Sequence, residues 1–218
     1  MSGRRVGRDI LAIVVFVVIM VAWTGAWNLK LVLDNSYAVF KTEWAGFVFW
    51  VIAKILLWII PSFWLIKKTG RTIREVFNVH AWRRCLAWGC GLGGILALVG
   101  IVSHRINNDP ILPGTISFSL ANAIVIAPIF EEFLMRGAIM GALSQKHSFL
   151  FANSVTAILF VVLHCPGWYY MGNLSAGLYS FAVSVISIFI IGWLCGLATK
   201  RGRSVIAGVI VHFLNNLI

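Results

Sequence analysis

The sequence predicts an all-α fold, a polytopic membrane bundle of about seven transmembrane helices with one interfacial amphipathic helix. Of its 218 residues, 60% belong to the apolar set AVILMFWYC and only 11% are charged, and the mean hydropathy is +0.92. Soluble domains are about 45–50% apolar and about 25% charged, so this chain could not cover a surface that faces water. The composition therefore excludes an ordinary soluble enzyme, a disordered tail and a disulfide-rich secreted domain.

Seven apolar stretches supply the predicted spans, because a spanning helix needs about 20 mostly apolar residues. They cover residues 10–27, 44–66, 85–102, 116–143, 149–164, 174–198 and 204–218. The first lacks a convincing small-residue cleavage site and is interpreted as a retained anchor. The fifth is predicted to stop at Cys165-Pro166-Gly167. The last is short enough that we expect the chain to end within the bilayer or the protein core.

Residues 67–84 form the predicted interfacial helix. They hold six Lys and Arg residues, and Ile73, Val76, Phe77 and His80 recur between them at helical spacing. A basic helix with one apolar face lies on a membrane surface. We expect this segment to bind lipid headgroups, and steering of substrates is the alternative.

The net charge of +11 comes mostly from Lys and Arg residues that lie outside the apolar stretches. With the N-terminus inside, 13 of the 18 Lys and Arg residues, among them Arg4, Arg5 and Arg8, lie on the inner side and 3 lie outside. This bias predicts a cytoplasmic N-terminus, and we expect the plasma membrane as the location. Because the basic residues flank apolar segments, they are interpreted as topology signals, and no nucleic-acid partner is predicted.

Two structural features have a packing interpretation. The four cysteines form no CxxC pair and are predicted to fill space between helices. Gly89-x-x-x-Gly93 and Gly192-x-x-x-Gly196 predict that neighbouring helices approach closely at these points.

Ionisable residues inside apolar stretches are functional hypotheses, because charge is costly in a membrane. Glu132 and Arg136 are four residues apart and can pair on one helix face. Glu131 lies about 100° round the helix and lacks that partner. Glu131 is therefore a candidate general acid or base. Lys54, near the middle of the second span, is a helix-paired or snorkelling lysine and a weaker functional candidate.

Three further polar residues lie in later spans. His164 follows Phe160 by four residues, and Asn216 follows His212 by four. An imidazole and an amide on one face can donate hydrogen bonds to one oxyanion. A carboxylate and a histidine can activate water, and two histidines with a glutamate can hold a metal.

The ordered set Glu131-Glu132-x-x-x-Arg136, Phe160-x-x-x-His164 and His212-x-x-x-Asn216 resembles the CPBP family. These are CAAX-protease and bacteriocin-processing intramembrane proteases, and they include Rce1-like prenyl-protein endopeptidases and abortive-infection-type proteins. The resemblance covers residues 117–218 and implies a catalytic core there. Residues 1–116 hold the first three spans and the basic segment, and both parts are expected to form one structural unit.

The resemblance implies an endopeptidase that cleaves membrane-associated proteins or peptides. Glu131 and His164 would activate water, His212 and Asn216 would form the oxyanion hole, and Glu132, Arg136 and Phe160 would support the site. The chain lacks His-Glu-x-x-His, the clearest zinc spacing. Zinc on Glu131, His164 and His212 stays open beside the favoured metal-independent mechanism.

Other functions are possible for the same polar cluster. It could serve a non-catalytic membrane partner or immunity protein, or a proton relay in a small transporter, although no internal repeat of the transporter kind occurs. A rhomboid-like serine site and an intramembrane aspartyl site are disfavoured, since no Gly-x-Ser motif and no aspartate pair lies in a span. One geometric conflict is expected, because Glu131 lies near mid-membrane and His164 near the predicted end of its helix.

Overall fold

The computed structural model describes residues 7–112, 114–115, 117–173 and 177–218, and within these ranges it contains helices and no β-strand. The helices are α1 Arg8–Ser36, α2 Glu43–Lys68, α3 Ile73–Phe77, α4 Trp82–Asn107, α5 Phe118–Leu143, α6 Phe149–Tyr170, α7 Leu178–Gly202 and α8 Val205–Leu217. Four predicted positions lie outside the described residues, namely Arg4, Arg5 and the expected span starts Ile116 and Leu174.

The predicted helical membrane bundle is confirmed. Six helical segments are long and apolar enough to cross a membrane, α3 and α4 counting as one continuous segment, and α8 is a shorter apolar helix. Its 13 residues extend about 20 Å, less than the hydrocarbon core of about 30 Å. The seventh predicted span is therefore a helix that is shorter than the hydrocarbon core, and its end at Ile218 contacts His104 in the last turn of α4.

The predicted interfacial helix is short in the structure. Helix α3 has five residues, and its start is fixed by a capping box in which Thr72 and Glu75 bond to each other's backbone amides. Val76 is buried, which matches the predicted apolar face. The helix ends at Asn78, whose φ of 25° is not helical. A 3₁₀ turn, Val79–Ala81, then leads into α4.

The basic loops meet at one end of the bundle. Lys146 Nζ lies 2.9 Å from Asp9 Oδ2, and Arg8 donates to Gln145 Oε1 at 2.7 Å. Ser204 at the α7–α8 turn donates to the Phe77 carbonyl. Four segments that the charge bias assigned to one side of the membrane are thus joined by direct contacts.

Glycines set the closest helix contacts. A Cβ on Gly93 of α4 would lie 2.7 Å from Leu214 Cδ1 of α8, and a Cβ on Gly89 would lie 2.9 Å from Ile210 Cβ. On α7, a Cβ on Gly196 would lie 1.7 Å from an Asn153 oxygen. Both predicted glycine motifs therefore lie where a neighbouring helix leaves no room for a side chain.

The predicted end of the fifth span at Pro166 is wrong, because α6 continues through this proline to Tyr170. Proline removes one backbone hydrogen bond, whereas ending the helix here would leave several carbonyls without donors in an apolar region. The extension is packed as well, since Tyr170 stacks on Trp27 with ring centroids 5.8 Å apart. His164 therefore lies one and a half turns inside its helix, which removes the expected conflict with the depth of Glu131.

Candidate active site

A cavity of about 540 Å³ inside the bundle is lined by Glu131 of α5, His164 of α6, and His212 and Asn216 of α8. These are the four residues predicted to be catalytic. Phe160, predicted to support the site, also lines this cavity. Helices from distant parts of the sequence therefore bring the predicted residues to one place.

Glu132 and Arg136 form a buried ion pair behind the cavity. Arg136 Nη1 lies 2.9 Å from Glu132 Oε1, and both side chains are fully buried. Arg136 also donates through Nη2 to the Gly192 carbonyl of α7, and its guanidinium lies 4.6 Å from the centroid of the Phe160 ring. The pair holds α5, α6 and α7 together.

His212 lies between the two glutamates. Its Nδ1 is 3.1 Å from Glu132 Oε1, and its Nε2 is 3.9 Å from Glu131 Oε2. Since a carboxylate oxygen accepts, Nδ1 of His212 carries the proton in this contact. Glu131 Oε2 is buried and has no hydrogen-bond partner within the described part of the chain. This oxygen is free to accept a proton from a molecule in the cavity.

His164 is oriented by its own helix. Its Nδ1 donates to the Phe160 carbonyl at 2.7 Å, so in the neutral ring Nε2 is the acceptor nitrogen. The Phe160 ring packs edge-on against both histidines, with centroids 4.9 Å from His164 and 5.6 Å from His212. Phe160 thus fixes the two imidazoles relative to each other.

Asn216 is held by a carbonyl that a proline leaves free. A π-helical turn, Asn122–Ile126, is followed by Ala127 and Pro128. In the π register the amide of residue 128 would donate to the Ala123 carbonyl, but proline has no N–H. Asn216 Nδ2 donates to that carbonyl at 2.9 Å. One amide hydrogen of Asn216 is therefore used for orientation, and the other is left to donate.

The first two helices supply a cavity wall that the sequence analysis did not assign to the site. Trp23, Trp27, Trp50 and Trp58 line it together with Lys54. Their rings contact one another, with centroids 4.3 Å apart for Trp27 and Trp50 and 4.5 Å apart for Trp23 and Trp58. The signal for this wall is the spacing of Trp50, Lys54 and Trp58, which recur every four residues on one helix face.

A possible metal set occurs beside the cavity. Among the described residues, the group of three potential ligands within 4.8 Å of one another is Glu132, Cys195 and His212, which differs from the predicted Glu131, His164 and His212. A cation there would lie against Arg136, which already neutralises Glu132. This trio therefore does not fit a catalytic zinc. Zinc on the predicted set stays a prediction.

The fold and this cluster define a helical membrane protein with acid–base side chains enclosed by its bundle. The family model "Type II CAAX prenyl endopeptidase Rce1-like" matches residues 113–218, just under half of the chain, and this part of the chain is similar to that family. The resemblance inferred from the three motifs is confirmed, and at the family level the activity is that of a CAAX-type endopeptidase. No curated protein and no solved structure matched the chain in the corresponding searches.

Proposed function

We propose that this protein is an intramembrane endopeptidase that hydrolyses peptide bonds of membrane-associated protein or peptide substrates. One observation carries the proposal: the buried Oε2 of Glu131, which has no hydrogen-bond partner within the described residues, lies in the cavity that His164, His212 and Asn216 also line. A carboxylate oxygen without a partner, beside two imidazoles and an oriented amide, has the components for activating a water molecule.

The proposed reaction begins with a water between Glu131 and His164. Glu131 Oε2 accepts a proton from this water while His164 Nε2 accepts its other hydrogen bond, and the oxygen attacks the scissile carbonyl carbon. Asn216 donates to the resulting oxyanion, and His212 in its doubly protonated form donates through Nε2. Glu131 then returns the proton to the leaving amine, which releases the new carboxyl and amino ends.

Glu132 and Arg136 have positioning roles in this proposal. Glu132 Oε1 accepts from both Arg136 Nη1 and His212 Nδ1, so one carboxylate oxygen fixes the donor ring. The two adjacent glutamates therefore differ in function because they differ in partners. Glu132 Oε1 is bonded to a buried cation, whereas Glu131 lines the cavity.

The test is cleavage of a prenylated peptide and its unprenylated counterpart by the purified protein in liposomes. Glu131→Gln is expected to lower kcat by about 10³-fold, because general acid–base groups contribute about 10²- to 10⁴-fold. Glu75→Gln is the matched control, since a glutamine also completes a capping box. Wild-type cleavage rates in Glu131→Gln would contradict the proposed role.

We also propose a plasma-membrane location with a cytoplasmic N-terminus, supported by the charge bias and by the clustering of basic loops at one end. Single cysteines at the exposed positions Lys146 and Asp109 report the two ends of the bundle after the native cysteines are replaced. In intact cells an impermeant maleimide should label the variant at Asp109 and not the variant at Lys146. The reverse labelling would contradict this orientation.

A further inference from the structure

The cavity that holds Glu131 extends away from the end of the bundle where the basic loops meet. Its lining reaches Ser119, in the first turn of α5, and Met171, directly after the last residue of α6. Ser119 lies about 36 Å along α5 from Leu143, the last residue of this helix at the basic end. The cavity therefore reaches the end of the bundle opposite the basic loops, which is called the distal end below.

A second cavity continues the first one at the distal end. Its volume is about 410 Å³, and Trp50, Ser119 and Asn122 line both cavities. Four charged residues also line the second cavity, namely Lys30, Asp34, Lys41 and Glu43. Charged side chains are costly in the hydrocarbon core and stable where they contact water. The shared wall therefore joins the site to a polar opening at the distal end.

Packed side chains close the opposite direction, toward the basic loops. Every residue of α5 from 132 to 140 is buried. Phe133 packs between α2 and α3, with its ring centroid 5.0 Å from that of Phe63 and 5.6 Å from that of Phe77. Protein interiors are close-packed and contain few voids larger than a water molecule. A peptide therefore reaches Glu131 from the basic end only if this layer comes apart.

A cavity among the basic loops does not provide a second entrance. It measures about 280 Å³, and Arg136 and Arg203 are among the residues that line it. Within the described part of the chain it shares no lining residue with the site cavity. Arg136 pairs with Glu132, whose carboxylate accepts from His212 of the site cavity. The buried ion pair therefore separates the two cavities.

We propose that substrates reach Glu131 from the distal end, and that the protein cleaves segments exposed on the outer side of the membrane. This inference rests on the proposed function and on the proposed orientation, in which the basic loops lie in the cytoplasm. The substrate class is then a membrane-anchored protein or peptide whose cleaved segment faces outward. Water entering by the same opening adds its hydroxyl to the scissile carbonyl carbon and a proton to the leaving nitrogen, so both products form on the outer side.

The first experiment locates the entrance by blocking it. After the native cysteines are replaced, Ser119→Cys and its matched control at the basic end, Lys146→Cys, are each assayed before and after coupling to a large polyethylene glycol maleimide. Cleavage of the prenylated test peptide should fall at least about tenfold after coupling at position 119, because the polymer obstructs access to the site. Coupling at position 146 should leave the rate unchanged. Any result other than a selective loss at position 119 overturns the assignment of the entrance.

The second experiment tests the side of the membrane in intact cells. One cleavable peptide sequence is fused to a membrane anchor so that it faces either the outside or the cytoplasm. The outward-facing version should be cleaved at least about tenfold faster, because only that version reaches the distal opening, and Glu131→Gln should abolish its cleavage. Equal cleavage of the two versions, or faster cleavage of the cytoplasmic one, overturns the inference and leaves the peptidase intact.

A third measurement needs no cleavage and separates this inference from the proposed function. Ala127 lines the site cavity, whereas Ala138 on the same helix is 0% exposed in the packed layer. A small impermeant thiol reagent should modify Ala127→Cys in intact cells and not in inverted vesicles, and it should modify Ala138→Cys in neither.

The labelling decides the inference even where no peptide is cleaved. Modification of Ala127→Cys from the outside alone supports the distal entrance, and the proposed function then fails by itself. Modification from the cytoplasmic side, from both sides or from neither side overturns the inference.

Discussion

The two halves of the chain face the same cavity with different chemistry. Helices α5 to α8 carry the acid–base groups, and the family match at residues 113–218 falls on this half. Helices α1 and α2 line the cavity with four tryptophans and one lysine, and they lie outside the match. Groups that would act on the peptide bond are thus separated in sequence from groups suited to contacting the rest of a substrate.

The halves also differ in how their buried charges are satisfied. In the matched half Arg136 and Glu132 neutralise each other, and His212 donates through Nδ1 to the same carboxylate, which orients its ring. In the other half Lys54 donates to the amide oxygen of Asn122, and it interacts electrostatically with Glu131, which lines the same cavity. A buried ion pair is costly to break, whereas Lys54 forms no direct ion pair within the described residues and lines the cavity. This difference predicts that substitutions in the two halves impair the protein in different ways. Loss of the folded state is expected at Arg136, and weaker substrate contact is expected at the tryptophans that line the cavity.

The largest effect is expected from Arg136→Leu. It leaves Glu132 buried without its cation and frees the Gly192 carbonyl, and breaking a buried pair in this way costs about 3–5 kcal/mol. We expect loss of the folded protein or a large drop in Tm in detergent. Lys146→Met, which breaks an exposed pair with Asp9, is the matched control and should leave Tm unchanged. A stable Arg136→Leu variant would show that the framework does not depend on this ion pair.

The second-largest effect is expected from Gly93→Leu, which tests how the two halves pack against each other. Gly93→Leu on α4 would drive a side chain into Leu214 and the backbone of Val211, and α8 also carries His212 and Asn216. Overpacking costs about 1–3 kcal/mol, and we expect displacement of α8 to lower kcat at least tenfold. Gly94→Leu is the control, since a Cβ there meets nothing within 4 Å. Equal activity of the two variants would contradict the dependence of the site on this helix contact.

The helical bundle and the pairing of Glu132 with Arg136 were predictable, and each has a local cause in the sequence. Apolar length reveals spans, and the spacing of four between Glu132 and Arg136 reveals their pairing, because both follow from helix geometry alone. The end of α6 was mispredicted at Pro166, since a local rule for proline ignores the cost of exposed backbone in an apolar region. The stacking of Trp27 on Tyr170 stabilises the continuation.

The wall from α1 and α2 was harder to predict because its members meet only after folding. Lys54 was visible as a charge in a span, but its partner Asn122 lies 68 positions away. The bond between Asn216 and the Ala123 carbonyl likewise depends on a π turn that the sequence pattern did not indicate. Long-range pairs that arise from irregular backbone leave no periodic signal in the sequence.

The smallest effect is expected from Trp50→Ala, which tests whether the tryptophans that line the cavity contact the substrate without taking part in the reaction. Trp50 lines the cavity and packs against Trp23 and Trp27, but it touches none of the acid–base residues through a ring contact within the described part of the chain. Removing its apolar surface should raise KM by about three- to tenfold through lost substrate burial and leave kcat unchanged. Trp64→Ala, at an exposed position on the same helix, should change neither. A fall in kcat with unchanged KM in Trp50→Ala would mean that the tryptophan wall positions the reacting groups, and the two halves would then share the catalytic role.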